Sequence, residues 1–168
     1  MQESRLIVET VSKVPLWQQL LKQSIVTEEQ LASICKFPIN KEELKEVIEK
    51  YPMRINPYYL SLIKEKNDPI WKQCIPDIEE IRDNVCIEDP LNEEHDSPVP
   101  GLTHRYPDRV LLLVSNTCAT YCRFCTRKRK VGVPYKAMSK EQIIQGIEYI
   151  KQHKEIRDVI LSGGDPLL

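Results

Sequence analysis

Apolar positions along the chain change their spacing twice. Over residues 1–87 they recur at helical spacing in short groups, each bounded by a cap or a stop. Leu16, Trp17, Leu20 and Leu21 form an apolar stripe just after Pro15. Thr27 followed by Gln30 is a capping box, opening a helix with Leu31, Ile34 and Cys35 on one face. Asn40 followed by Glu43 repeats the device ahead of Leu44, Val47, Ile48 and Tyr51, and Pro52 is the stop. Asn56-Pro57 and Asp68-Pro69 each place a capping side chain before proline at the first helical position. The helices they open are expected to bury Leu60 and Ile63, then Ile70, Trp71 and Cys74.

Residues 88–107 have prolines at 90, 98, 100 and 107 with acidic residues between them, and neither a helical nor an alternating period. This is expected to be an extended connector without a regular ladder. Residues 108–168 then change to continuous apolar runs. Val110 to Val114 reads as a strand buried on both faces. Ser139 with Gln142 caps a helix whose expected buried face is Ile143, Ile144, Ile147 and Ile150. Val159 to Leu161 is a second short buried strand, ending at Ser162-Gly163-Gly164-Asp165-Pro166. Strand, loop, helix and strand at this spacing make one right-handed βαβ unit, so the fold class is α/β. A finished α/β domain needs several such units, and the sequence reads as the front portion of a longer protein.

Hydrophobic residues make up 41% and charged residues 29% of the 168 residues, the balance of a soluble globular protein. A net charge of −1 gives no global reason to expect nucleic acid or an anionic membrane as partner. No apolar run approaches the ~20 residues of a membrane span. Met1 to Glu9 has no basic stretch followed by an apolar one, so no secretory signal is expected and the location is cytoplasmic.

Six cysteines in a reducing compartment argue for metal chemistry over disulfides. Cys35, Cys74 and Cys86 sit singly among apolar residues and are expected to be core filler. Cys118, Cys122 and Cys125 have the spacing C-x-x-x-C-x-x-C and directly follow the first buried strand. Three thiolates on one tight loop suit three irons of a cubane, leaving a fourth iron free for another ligand. A structural zinc site wants four ligands, and the nearest spare candidates, His104 and Cys86, lie in or across the connector. Ordinary ferredoxins bring a fourth cysteine, which does not follow here.

This spacing, with aromatic Phe124 before the third cysteine, resembles the signature of radical S-adenosylmethionine (SAM) enzymes. The resemblance implies a 4Fe–4S cluster whose open iron binds SAM, with Phe124 near the adenine. Ser162-Gly163-Gly164-Asp165 matches the glycine-rich motif that, in that superfamily, meets the cofactor's amino group through backbone oxygens. Arg123, Arg127, Lys128, Arg129 and Lys130 form a basic run beside the cysteines. By itself such a run is usually a solvated face and less often a nucleic-acid patch; beside an anion site, arginine is also the residue that grips carboxylates with two parallel bonds.

From about Pro69 onward the chain resembles the lysine 2,3-aminomutase family. The matching text is Glu88-Asp-Pro-Leu91, Ser97-Pro-Val-Pro-Gly-Leu-Thr-His-Arg-Tyr-Pro-Asp-Arg109, the cysteine loop with Thr126-Arg127, and Ser162-Gly-Gly-Asp165. The resemblance implies a partial (β/α) barrel begun by this chain, and transfer of an amino group from the α to the β carbon of a small amino acid held on pyridoxal phosphate. Arg105, Tyr106 and Arg109 would then contact pyridoxal phosphate, whose lysine is not in this chain, and Arg127 the substrate carboxylate. An electron donor such as flavodoxin or ferredoxin, and a homo-oligomer of the complete protein, are implied as well. Phe124, Lys128 to Val131 and Pro166 depart from the family's lysine enzymes, which usually have His, Arg-Arg-Phe and Ala there. Glutamate aminomutases share the core motifs, and so would a non-catalytic iron–sulfur fragment.

Overall fold

The computed structural model describes residues 14–168, so the reading of Met1 to Glu9 lies outside the described residues. Six short helices come first: α1 (Leu16–Lys22), α2 (Glu28–Ile34), α3 (Lys41–Lys50), α4 (Pro57–Ser61), α5 (Pro69–Cys74) and α6 (Glu79–Arg82). The starts of α2 to α5 follow the caps, whereas α1 and α6 have no capping side chain. Thr27 and Gln30 form the reciprocal capping box, Asn40 accepts from the Glu43 amide, and Asn56 and Asp68 cap helices with proline at the first turn. Leu31, Leu44, Ile63, Trp71 and Cys74 meet Ile25, Met53, Ile55 and Ile75 in one buried cluster. Ile25 and Ile55 exchange backbone hydrogen bonds of 2.9 Å across it. The stripe on α1 does not join this core: Leu16 is 70% and Trp17 52% exposed, and no α1 residue is buried.

A three-stranded sheet in the order β1-β2-β3 follows, with β1 (Leu102–Tyr106), β2 (Arg109–Ser115) and β3 (Asp158–Gly163). β2 and β3 run parallel, and α7 (Lys140–Gln152) lies between them in sequence, capped by Ser139 and Gln142. β1 corrects the expectation for the connector, because it pairs antiparallel with β2. The five residues Leu102–Tyr106 lie between Pro100 and Pro107, and none of them is proline, so every one keeps a backbone donor.

The sheet's core is Leu102, Val110 and Leu112, covered by Ile143, Tyr149 and Ile150. Gly146 lets α7 come close, since a Cβ there would stand 2.5 Å from Leu112 Cδ1. The packed face of α7 is therefore Ile143, Gly146, Tyr149 and Ile150, while Ile144 and Ile147 are exposed. Val159, Ile160 and Leu161 of β3 are also exposed, which corrects their reading as a short buried strand. Of the three isolated cysteines Cys74 is fully buried in the core and Cys35, half-buried, packs against it; Cys86 is exposed, with its amide on Asp83 Oδ1 at 3.1 Å. Among the described residues no helix is long and apolar enough to cross a membrane.

Candidate active site

The cysteine loop leaves the C-terminal end of β2, where the parallel neighbour β3 also ends, the usual place for ligand-binding loops in parallel β/α folds. Its conformation is fixed from both sides. Towards the helices, the Tyr121 amide donates to Arg54 O (2.8 Å) and the Arg123 amide to Gln73 O (2.9 Å). The Arg123 side chain, 6% exposed, bonds Glu80 through Nε (2.9 Å) and Nη2 (2.8 Å) and donates to Pro52 O (3.0 Å). Lys128 adds Nζ to the same carboxylate at 3.4 Å and lies 4.4 Å over the Tyr51 ring. Arg123 and Lys128 are thus partners of the helical region and not a solvated face.

Towards β3, the Gly164 amide donates to Ser115 O (2.7 Å) and the Asp165 amide to Thr117 O (2.8 Å). Gly163 has φ +118°, and a Cβ would stand 2.0 Å from Ser115 O; at Gly164 it would stand 2.3 Å from Thr117 O. Only glycine permits this approach. The Ser162–Asp165 motif is thereby brought against the start of the cysteine loop.

Cys118 and Cys125 are half-buried and Cys122 is exposed. Burial pushes the thiols of Cys118 and Cys122 up, and the negative charge of the neighbouring thiolates adds to it; an Asp165 amide hydrogen bond works against it at Cys118. Among the described residues, however, no three His, Cys, Asp or Glu side chains are gathered so as to hold a metal ion. A cubane takes its thiolates at three different irons, spaced more widely than ligands around one ion, and a bound cation reverses the rise in thiol pKa. The donor set, three thiols on one loop, fits the cluster. It fits zinc poorly. His104 is engaged by Tyr149 Oη (2.8 Å) on α7, although Cys86 lines the same cleft as Cys125. That cleft, about 620 Å³, is also lined by Tyr51, Ile87, Phe124 and Lys128, and the Phe124 ring is 69% exposed.

Arg127 sits two residues past Cys125, and its amide donates to Cys125 Sγ at 3.3 Å. Its guanidinium meets Glu93 at 3.0 Å through Nε and 2.6 Å through Nη2, and donates from Nη1 to Ser162 Oγ at 3.3 Å. Arg129 pairs with Asp89 (2.8 Å) and Lys130 with Glu94 (3.2 Å). The acidic residues of the connector are therefore the partners of the basic run, a pairing the sequence reading did not make. Alternation of sign between two segments was the only available signal.

Arg105, Tyr106 and Arg109 lie elsewhere. They surround the β1–β2 turn, at the opposite end of β2 from the cysteines, about 20 Å away for a strand of this length. All three are exposed. Arg109 lies over the Tyr106 ring (5.6 Å) and is paired with Asp108, and Arg105 donates to Leu91 O (3.1 Å). Only the Arg109 guanidinium lies on the Tyr106 ring; that of Arg105 turns to the connector, at Leu91 O and Asp96 (3.7 Å).

A cysteine loop joined to a glycine-rich strand end is the arrangement of a radical SAM protein, and residues 112–168 match the model of the Radical SAM superfamily. The relatives narrow this. The chain is 55% identical over 132 residues to an L-lysine 2,3-aminomutase of Methanococcus maripaludis, covering 76% of this chain and 30% of the relative. It is 47% identical over 158 residues to that of Clostridium subterminale, covering 90% and 38%. With a glutamate 2,3-aminomutase of Clostridioides difficile it shares 44% over 129 residues, covering 76% and 31%. The chain belongs to the lysine 2,3-aminomutase family and spans about a third of the length of these relatives.

Proposed function

We propose that the protein is a radical SAM, pyridoxal-phosphate-dependent amino-acid 2,3-aminomutase of the L-lysine to β-lysine type. The observation that carries this reading is the junction of the Cys118–Cys125 loop with Ser162–Asp165, fixed by the Gly164 and Asp165 amides. Cys118, Cys122 and Cys125 would hold a 4Fe–4S cluster, and that cluster with SAM supplies a hydrogen-abstracting radical when bound. Phe124 offers an exposed ring face for the adenine, and the backbone of Ser162, Gly163, Gly164 and Asp165 offers carbonyl groups for the cofactor's ammonium. Arg127 would bind the substrate's α-carboxylate through a charge-assisted fork. Arg105, Tyr106 and Arg109 would receive the phosphate end of pyridoxal phosphate, which holds the substrate's amino group. Reduction would come from a small low-potential carrier such as flavodoxin or ferredoxin, in the cytoplasm, to a homo-oligomer. The lysine reading is preferred to glutamate because the more similar relatives carry that name.

The test is anaerobic reconstitution of the whole native polypeptide, followed by addition of SAM, then of L-lysine or L-glutamate. About four irons per chain, a cluster spectrum perturbed by SAM, and formation of β-lysine are expected. One tightly bound zinc and no iron would sink the reading; β-glutamate as the preferred product would move it to the glutamate enzyme.

A further inference from the structure

The most buried carboxylate near the cysteine loop belongs to Glu93, which the aminomutase reading leaves without a role. Its side chain is 6% exposed and that of Arg127 15%. A carboxylate so buried is strongly unfavourable unless paired. Glu93 is paired in one particular way: both its oxygens stand 3.0 Å from Arg127 Nε, and Oε1 is 2.6 Å from Nη2. It therefore occupies the Nε–Nη2 side of the guanidinium, while Ser162 Oγ accepts from Nη1. A guanidinium has five N–H donors, and these partners take three, leaving one on each terminal nitrogen. One remaining donor on each of two neighbouring nitrogens suits the two oxygens of a carboxylate.

Glu93 is itself held firmly. Its carbonyl accepts from Ser97 Oγ at 2.6 Å, and the next amide, of Glu94, donates to Asp89 Oδ2 at 3.0 Å. The connector thus provides a rigid anion on one side of Arg127, and the end of β3 a hydroxyl on another. A long flexible side chain is reduced to one orientation before any ligand arrives, which lowers the ordering cost of binding.

We propose that Glu93 is a positioning residue for the substrate's α-carboxylate, acting through Arg127. This rests on the aminomutase reading and adds the residue that orients the carboxylate fork. A glutamine at this place presents an amide nitrogen to guanidinium donors, donor against donor, and turns the fork out of line.

The experiment uses the whole native polypeptide, reconstituted with iron, with Glu93→Gln, Glu93→Asp and Arg127→Met variants. Binding of L-lysine and of L-lysinamide, which lacks the carboxylate charge, is measured alongside iron content and turnover. The wild type is expected to prefer lysine. Glu93→Gln should shrink that preference at least tenfold, through KM more than kcat, with iron content held. Glu93→Asp, shorter but still charged, should fall between. In the Arg127→Met background the Glu93→Gln change should do nothing further to the preference.

Equal losses for lysine and lysinamide, an undiminished preference, or tighter lysine binding in Glu93→Gln would each overturn the proposal, as would loss of fold in both Glu93 variants. If Glu93→Gln alone fails to fold, a reduced preference in Glu93→Asp carries the proposal and an unchanged one overturns it. A wild type that loads no iron, or has no preference for lysine, overturns the aminomutase reading and the inference with it.

Discussion

Arg123 closes onto Glu80 with two bonds, Nε to Oε1 at 2.9 Å and Nη2 to Oε2 at 2.8 Å, and so ties the cysteine loop to a helix 43 residues earlier in the chain. Both side chains are nearly buried, at 6% and 11% exposure. The helical region thereby supports the loop from beneath. Removing one partner of a buried pair leaves an uncompensated charge and typically costs about 3–5 kcal/mol. Glu80→Ala is therefore expected to lower unfolding stability by about that amount and to reduce iron uptake. Chemical denaturation and iron analysis of the same preparation check it. A stability within 1 kcal/mol of wild type, taken as roughly the surface-pair range, would remove Glu80 from the support of the loop.

Cysteine chemistry should divide the isolated thiols. Burial, then the nearby Asp68 carboxylate, push the Cys74 thiol up to about 12. At pH 8 its reactive thiolate is then about a thousandfold scarcer than for an ordinary cysteine. Iodoacetamide should modify exposed Cys86 in the native protein and spare Cys74 until it unfolds, as mass spectrometry of the peptides will tell. The same shift has a consequence for stability. Above about pH 9 the unfolded chain loses the Cys74 proton while the folded chain keeps it, so this site's contribution to stability falls from pH 9 towards 12. Cys74→Ala should flatten that alkaline slope; an unchanged slope would assign it to other groups.

The starts of α1 to α5 and α7, the βαβ order and the position of the cysteine loop were legible in the sequence because they depend on local signals, whereas α6, which has no capping side chain, was not foreseen. Caps such as Thr27/Gln30 and Ser139/Gln142 act within one turn, and Val110–Val114 is apolar throughout. What the sequence did not convey depends on partners distant along the chain. β1 exists because Leu102–Tyr106 finds β2, and its sequence alternates too weakly to stand out between prolines. The exposed apolar residues of α1 and β3 look in sequence like any others, since periodicity reports a face and not what covers it. Arg123 and Lys128 look like their basic neighbours until Glu80 is seen beneath them. The cysteines themselves were legible through spacing, whereas the isolated Cys86 resembled Cys74 and is exposed instead.

Gly163 combines a φ of +118° with the Ser115 carbonyl oxygen 2.0 Å from where a Cβ would stand. Gly163→Ala must therefore move the end of β3 away from β2. Strain at a sparsely populated backbone conformation costs about 1–3 kcal/mol, and the steric contact adds to it. The larger effect should be local. The Gly164 and Asp165 amides lose their seats on Ser115 and Thr117, so SAM should perturb the cluster spectrum much less while iron content changes little. Spectral titration with SAM measures this, and wild-type titration behaviour in Gly163→Ala would show that the motif does not form part of the SAM site.

Arg127 requires a charge-balanced test. Arg127→Met alone removes the proposed carboxylate fork, but it also strands Glu93, a carboxylate whose side chain is 6% exposed. Stranding costs about 3–5 kcal/mol, on the scale of the whole stability margin of a small domain. A loss of turnover in that variant would therefore report damage to the loop as readily as loss of substrate binding. Arg127→Met combined with Glu93→Gln removes both charges and leaves two neutral side chains of similar volume, a replacement that is often neutral for stability. The double variant is expected to recover most of the stability and iron content lost in Arg127→Met. Its affinity for L-lysine should nevertheless stay on the order of tenfold to a hundredfold below wild type, the value of a charge-assisted pair at about 1.5–3 kcal/mol. Thermal unfolding, iron analysis and the substrate dependence of turnover, run on the wild type and both variants, separate the two effects. Recovery of stability and affinity together would make Arg127 a structural partner of Glu93 alone. Recovery of stability without affinity would place the guanidinium on the substrate.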